Sequence, residues 1–272
     1  MHTLRIIIKL QIITGLLVIF SACNSGDRQP PIKGPTYERK TNQFFLMGSE
    51  AISKQTISEI VEQSGIKLGG YVVIIQSHDQ HESSVAKLLK SEFNSQQVMA
   101  VHILEFSADS TVKNTDVLAI ENANIICLLS NSPDEFMKLA NNTRLRTSIL
   151  KAGKNGTLIS GIGKGSSLLG EYYYDQKVDT GSNEMTVTLK HGLGLLKSTV
   201  IDNSNFLSNY RNNIQAGSSK NNYVFIGIED NSCVWINNSE ALVLNKTKVE
   251  LISPDGVQKQ FKEDNEFSLL LQ

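Results

Sequence analysis

Several residue types are scarce in this 272-residue chain, and their scarcity excludes some classes of protein. Aromatic residues make up 7% of the chain, with a single tryptophan, which argues against an aromatic-rich carbohydrate-binding surface. Charge of one sign is not in excess either, because 26 lysines and arginines stand against 27 aspartates and glutamates. A net charge of -1 gives no electrostatic reason to expect nucleic acid as a partner.

Cysteine and histidine are also rare, with three and five residues. Three scattered cysteines do not indicate a disulfide framework or a thiolate metal site. Cys127 and Cys233 each lie in an apolar run, which predicts a buried core thiol. His78 and His81 stand in a polar loop without a distinctive ligand spacing. We therefore expect neither a metal nor another cofactor.

An apolar stretch at the N-terminus runs from residue 6 to residue 20, just after Arg5. A basic start followed by a moderately long apolar run is typical of a secretory signal. An uncleaved transmembrane helix is the alternative interpretation. Lys9 and Gln11 interrupt the run and leave fewer clean apolar residues than the about 20 that a membrane span requires, which favours a cleaved signal.

The end of this segment reads Phe20-Ser21-Ala22-Cys23 and resembles the lipobox of bacterial lipoproteins, although leucine is usual at the position of Phe20. The resemblance implies that residues 1–22 are a lipoprotein signal peptide. It also implies that Cys23 carries acyl chains that anchor the chain in the cell envelope, at the periplasmic or outer-membrane face. Residues 23–42 are polar and proline-containing, which predicts a tether. We expect residues 43–272 to form the folded domain.

From residue 43 to about Tyr174, apolar runs alternate with helical patterns. Continuous β-branched runs are typical of strands that are covered on both faces. The predicted strands are residues 44–48, 71–75, 98–106, 124–129 and 156–160. The predicted helices are residues 53–67, 133–139 and 144–152, one that begins at Ser83 or Ser84, and one from about Gly165. Repeated strand–helix units predict an α/β fold with a largely parallel sheet flanked by helices.

After Tyr174 the pattern changes to short strands joined by turns. The predicted strands are residues 185–189, 198–202, 223–228, 232–236, 240–244, 248–252 and 257–261. We therefore expect extra β-strands in the C-terminal part of the fold.

One glycine-rich turn stands where a doubly wound sheet forms its sites, directly after a predicted strand. Its frame, Gly161-x-Gly163-x-Gly165, has the spacing of a nucleophile elbow, in which the central residue is a serine. Here the centre is Gly163, which has no side chain and cannot attack a substrate. The turn does not match the phosphate-loop pattern. Anion or nucleotide binding at residues 161–166, assisted by Lys164, stays open as an alternative.

At this turn the sequence resembles cyanophycinase and its relatives among the serine exopeptidases, which include the aspartyl dipeptidases. Five short motifs follow the family's order, at residues 47–50, 129–132, 161–166, 192–202 and 227–230. The resemblance covers residues 45–252. It implies a flavodoxin-like or class I glutaminase-like fold and a serine-type peptidase that acts on aspartyl peptides.

The chain departs from the family at the catalytic positions. Gly163 replaces the nucleophile, and the catalytic histidine falls at Ser204 or Asn205, neither of which is a general base near neutral pH. Arg211 matches one member of the arginine pair that follows the histidine. The acidic triad member has no recognisable position, although Glu171 and Glu184 lie in the corresponding stretch. A triad acts as a unit, so the loss of two members predicts little residual catalysis.

The sequence therefore predicts a membrane-tethered, non-catalytic homologue that binds a peptide or small anionic ligand at the former active cleft. The candidate ligand-binding residues are Ser130, Asn131, Gly161, Lys164, Ser166 and Arg211. An active exopeptidase is the alternative, with Ser160, Ser166 or Ser167 as a displaced nucleophile and His191 as its base.

Overall fold

The computed structural model describes residues 42–77, 80–107, 111–141, 143–178, 185–244 and 248–269. The strands are β1 (Gln43–Met47), β2 (Val72–Ser77), β3 (Val101–Phe106), β4 (Ile125–Leu129), β5 (Leu158–Ile162), β6 (Gly170–Val178), β7 (Met185–His191), β8 (Leu196–Asn203), β9 (Val224–Ile228), β10 (Cys233–Asn237), β11 (Glu240–Val243), β12 (Val249–Ile252), β13 (Gln258–Phe261) and β14 (Glu266–Ser268). The α-helices are α1 (Lys54–Ser64), α2 (Gln80–Ser95), α3 (Asn114–Asn122), α4 (Pro133–Ala140), α5 (Thr143–Lys154) and α6 (Ser204–Asn221), and two 3-10 helices span Ile66–Leu68 and Gly163–Leu169.

The first sheet has eight strands in the order β14-β11-β10-β1-β5-β4-β2-β3. Five of them, from β1 to β3 in this order, are parallel, and β10, β11 and β14 extend the sheet in antiparallel fashion. Strands β1, β4 and β5 are buried along their whole length. Such burial is what parallel strands need when helices cover both faces. The predicted parallel sheet is confirmed.

Helices cover both faces of this sheet and form its core. Helices α1 and α2 pack on one face through residues such as Ile57, Ile60 and Leu89. Helices α3, α4 and α5 pack on the other through residues such as Ile120 and Phe136. The α-helical spacing of the apolar residues places them on one stripe of each helix, so the remaining polar face meets solvent.

The second sheet has six strands in the order β13-β12-β9-β8-β6-β7, with β6, β8 and β9 parallel. One of its faces, including Ile201 and Ile226, shares a core cluster with α3, α4 and α5. Its other face packs on α6 through Val200, Phe225 and Ile214. The extra strands predicted for the C-terminal part therefore build this sheet and the antiparallel extension of the first, and the predicted fold class is confirmed.

Several elements differ from the sequence-based expectation, among them strands β6 and β14, which were not predicted. The helix predicted from about Gly165 is the short 3-10 helix Gly163–Leu169, and it leads directly into β6. Helices α3 and α6 were not expected. Helix α6 is rich in serine and asparagine, residues that compete with the helical backbone for hydrogen bonds, and tertiary contacts of Ile214 hold it in place.

The predicted signal peptide and most of the predicted tether lie outside the described residues, as do His78 and Glu184. No helix in the described ranges has the length and apolar character needed to cross a membrane. Cys127 and Cys233 are unpaired and buried, which confirms their prediction as core thiols.

Candidate functional site

The glycine-rich turn at the end of β5 has two features that a nucleophile elbow needs, a positive φ at its centre and close packing of its flanking glycines. Gly163 has a φ of 56°, in the left-handed region that suits glycine. A Cβ atom on Gly161 would lie 2.4 Å from the Cα of Ser166, and one on Gly165 would lie 2.2 Å from the carbonyl oxygen of Leu128. The flanking glycines are therefore required because strand, turn and 3-10 helix approach too closely for side chains. We refer to residues 161–166 as the elbow.

A second turn, formed by residues 47–50 after β1 and called here the opening turn, packs against the turn after β9. A Cβ atom on Gly48 would lie 1.9 Å from the carbonyl oxygen of Glu229. The amide of Gly48 donates to the carbonyl of Ser232 over 3.0 Å, and the amide of Asn231 donates to Ser49 Oγ over 3.4 Å. These contacts bring the motif at residues 47–50 next to the motif at residues 227–230.

The opening turn also reaches the elbow. Glu50 is half-buried, and a Cβ atom on Gly163 would lie 3.1 Å from Glu50 Cγ and 3.8 Å from Glu50 Oε1. The Glu50 side chain thus lies against the space that a nucleophile side chain would enter. Glu50 belongs to the motif at residues 47–50, but 112 residues lie between it and Gly163, so spacing along the chain does not indicate that the two are in contact.

Ser166 supports the elbow instead of facing a ligand. It is 3% exposed, its Oγ accepts from the amide of Met47 over 3.0 Å, and it lies 2.8 Å from the carbonyl oxygens of Met47 and Gly161. One of these carbonyls takes its single proton. The hydroxyl of this predicted ligand residue is therefore committed to the backbone of β1 and β5.

The serine–histidine pair of the active alternative, a displaced serine with His191 as its base, is not assembled. Ser167 Oγ donates to the carbonyl of Lys164 over 2.7 Å, and the buried Ser160 Oγ has no hydrogen-bond partner within the part of the chain that the structure describes. His191 is exposed, and its ring packs on Tyr172 with 4.9 Å between ring centroids. Neither these two serines nor Ser166 is hydrogen-bonded to His191.

The turn after β4 lies beside the elbow and is held by a buried carboxylate. A Cβ atom on Gly165 would lie 3.5 Å from the amide nitrogen of Ser130. The amide of Asn131 donates to Glu82 Oε1 over 2.8 Å, and Glu82 Oε2 accepts from the amide and hydroxyl of Ser77. Glu82, which is 1% exposed, thus joins the ends of β2 and β4. Glu82 was not among the residues predicted from the sequence. The feature that could have indicated it is an acidic residue in the first turn of a helix that follows a strand.

The two predicted basic residues differ in their surroundings. Lys164 is exposed at the elbow. Arg211, on α6, donates to Gln258 Oε1 and lies 4.0 Å from Glu250 Oε2, so its guanidinium is engaged by β12 and β13.

The positions proposed for the lost histidine begin α6. Ser204 and Asn205 directly follow β8, at the edge of the second sheet where β9 also ends. Glu171 Oε2 accepts from the amide of Ser198 over 2.7 Å, which gives this carboxylate a role in holding β8 beside β6. Glu184 lies outside the described residues. Glu171, the other acidic residue considered for the triad, therefore has its carboxylate hydrogen-bonded to a backbone amide.

The family of the chain follows from comparison with known proteins. The model of peptidase family S51 matches residues 71–244, which is more than half of the chain. The chain belongs to peptidase family S51. This confirms, at the level of the family, the resemblance to serine exopeptidases carried by the five motifs.

Two solved structures share the fold of this S51 family member. A peptidase from an acI-B1 Actinobacterium is 15% identical with a TM-score of 0.60, and the match covers 85% of this chain and 98% of that one. A proposed peptidase E protein from Listeria monocytogenes EGD-e is 13% identical with a TM-score of 0.53, and the match covers 76% and 99%. Comparison with curated protein sequences gave no match.

Proposed function

We propose that this S51 family member is a non-catalytic homologue that binds a peptide or small ligand at the former active cleft. The observation that carries the proposal is Gly163, which has the elbow's positive φ but no hydroxyl. The close packing around Gly161 and Gly165 supports an elbow-shaped turn at this cleft. The absence of histidine at positions 204 and 205 supports the loss of the general base.

Incubation of the purified full-length protein with a panel of acidic and β-aspartyl dipeptides tests the proposal. We expect no release of amino acids above the buffer control, and we expect a bound dipeptide to raise the melting temperature by a few degrees, because a ligand of the folded state stabilises it by mass action. Amino-acid release that is abolished by Ser160→Ala, Ser166→Ala or Ser167→Ala would instead establish a displaced nucleophile.

The same melting assay addresses anion binding at the elbow. Lys164 is the exposed cation of the elbow. It lies within the 3-10 helix Gly163–Leu169, which has only seven residues. Millimolar nucleotide should leave the melting curve unchanged. A shift that disappears in Lys164→Ala would favour the anion site over the peptide site.

We also propose that Cys23 anchors the protein in the cell envelope. The lipobox-like segment before Cys23 and the polar, proline-containing residues after it support this proposal. Metabolic labelling with palmitate in a bacterial host should label the wild-type chain in the membrane fraction, and Cys23→Ala should abolish both label and membrane association. A Cys23→Ala protein that stays in the membrane fraction would contradict the anchor.

A further inference from the structure

Strand β3 forms one edge of the first sheet, and no strand of the described residues pairs with its outer side. A sheet edge presents backbone groups that another strand can bind, and proteins usually blunt such edges with lysine, proline, a bulge or a very short strand. The other three sheet edges are blunted in this way, because β14 has only three residues and β13 and β7 carry Lys259 and Lys190. Strand β3 has six residues, none of which is lysine or proline.

The backbone of β3 directs every second residue away from the sheet. The amide of Val72 on β2 donates to the carbonyl of Ala100 over 2.9 Å, so the polar groups of Ala100 face β2. The N–H and C=O of one residue point to the same side of a strand, and those of the next residue point to the other side. Ile103 and Glu105 therefore direct their N–H and C=O groups away from β2.

The side chains of β3 suit a second copy of the same strand. Ile103 is half-buried against the core cluster under α1 and α2, and Leu104 is half-buried on the opposite face of the sheet. A two-fold axis perpendicular to the sheet and beside Ile103 places this residue opposite Ile103 of a second copy. The two residues then form a hydrogen-bonded antiparallel pair, with about 5.5 Å between their Cα atoms. An apolar side chain thus meets an apolar side chain at the centre of the contact.

The same axis keeps like charges apart. Glu105 is the only carboxylate of β3, and the axis places it opposite Val101 of the second copy. The two copies of Glu105 are then offset by four residues along the strands, which is about 13 Å at 3.3 Å per residue. This separation exceeds the Debye length of about 8 Å at physiological ionic strength, so their repulsion is largely screened.

We propose that two copies of the chain associate through β3 in antiparallel orientation, so that the first sheet continues across a two-fold axis beside Ile103. An exposed apolar side chain adds to this surface, because Met99, which lies two residues before β3, is 77% exposed. The partner strand passes Met99 and removes part of its surface from water. The association involves no residue of the elbow and is independent of the proposed binding function.

A charge exchange at Ile103 tests the inference by native mass spectrometry of the full-length protein. The wild-type protein should have twice the mass of one chain. Ile103→Lys and Ile103→Glu should each weaken the dimer by about tenfold or more, because like charges then stand directly opposite each other. An equimolar mixture of the two variants should form a heterodimer, since the opposed charges now attract. Recovery in the mixture also shows that both variants fold.

Thr188→Lys is the matched control, because Thr188 is an exposed residue on β7, at the edge of the second sheet. It should leave the dimer unchanged. A wild-type protein of single-chain mass would overturn the inference. A dimer that survives Ile103→Lys, or a mixture of folded variants that stays monomeric, would also overturn it.

Amide hydrogen exchange of the wild-type protein gives a measurement that needs no substitution. In the dimer, the amides of Ile103 and Glu105 bind the second copy, so they should exchange at least about tenfold more slowly than after dilution to the monomer. The amides of His102 and Leu104, which face β2, should stay protected in both states. Slow exchange at Ile103 and Glu105 in a protein of single-chain mass would assign the edge to another segment of the same chain and overturn the self-association.

Discussion

Gly165 has no room for a side chain, because a Cβ atom there would meet the carbonyl oxygen of Leu128 at 2.2 Å and backbone atoms cannot swing aside. We expect Gly165→Ala to lower the free energy of unfolding by about 3 kcal/mol, as severe overpacking does. Gly65→Ala is the control, since Gly65 has a φ of 67° but nothing within 4 Å of its Cβ position. Strain alone should cost about 1 kcal/mol there. Urea unfolding measures both, and equal losses would contradict the packing account.

Gly163 differs from Gly165 because its nearest neighbour is the flexible side chain of Glu50. We expect Gly163→Ser to cost about 1–2 kcal/mol through its positive φ and this contact. Glu50→Ala should recover part of that cost, so the two changes should be non-additive in a double-mutant cycle. Purely additive losses would show that Glu50 does not contact the elbow.

Gly163→Ser alone should give no peptide hydrolysis, because Ser204 and Asn205 supply no base.

At the scale of elements, an ion-pair cluster joins α4 to the β6–β7 hairpin. Lys190 on β7 pairs with Asp134 on α4 and lies 2.7 Å from Asp175 Oδ2 on β6, and Lys138 lies 3.0 Å from Asp134 Oδ2. Hydrogen bonds from Lys190 and Lys138 lower the pKa of Asp134 to about 2. The charged form of this carboxyl is therefore favoured in the folded protein.

This lowered pKa sets a pH window for stability. An unfolded aspartate has a pKa of about 3.9, so the contribution of Asp134 is present above about pH 4 and is lost as the pH falls toward 2. We expect Asp134→Asn to lower the free energy of unfolding by about 1 kcal/mol at pH 7, and the gap to wild type should close between pH 4 and 2. Glu135→Gln, at the exposed neighbour in the same helical turn, should show no such closure. A gap that stays constant to pH 2 would contradict the assignment.

The elements that the sequence predicts well are those whose own residues determine them. Strand β4 is apolar throughout, β2 begins with an apolar run, and Pro133 begins α4 as expected. Helix α6 was not predictable from its polar composition. Likewise, apolar Leu168 and Leu169 before Tyr172 do not reveal where the 3-10 helix ends and β6 begins, because short apolar runs fit either state.

The features of the candidate site also divide into those that the local sequence indicates and those that depend on tertiary packing. The spacing of Gly161, Gly163 and Gly165 predicted a tight turn after a strand, and Gly163 has the positive φ that such a turn needs. The contact of Glu50 with the elbow and the burial of Glu82 under the turn after β4 depend on long-range packing, which spacing along the chain does not encode. Ser166 illustrates the converse, since its motif position suggested a ligand contact and its hydroxyl instead holds β1 to β5.

At the scale of the whole molecule, one core cluster lies between the two sheets, and the thiols of Cys127 and Cys233 lie in a second cluster, on the opposite face of the first sheet. Burial raises the pKa of Cys127 to about 12 and raises that of Cys233 as well, so neither is a reactive thiolate at neutral pH. In a Cys23→Ser chain we expect a thiol reagent to modify neither cysteine in the native protein and both in denaturant. The rate of modification should follow global unfolding as urea is added. Rapid labelling without denaturant would show that the core opens locally.

Reaction with a serine-directed fluorophosphonate tests most directly whether the elbow has lost its nucleophile. Such reagents form a covalent adduct with a serine hydroxyl that a neighbouring base activates. Intact-mass measurement of the full-length protein should show the unmodified mass, with an active serine hydrolase as the labelled control. Stoichiometric addition of one phosphonyl group, mapped to Ser160, Ser166 or Ser167, would contradict the non-catalytic account.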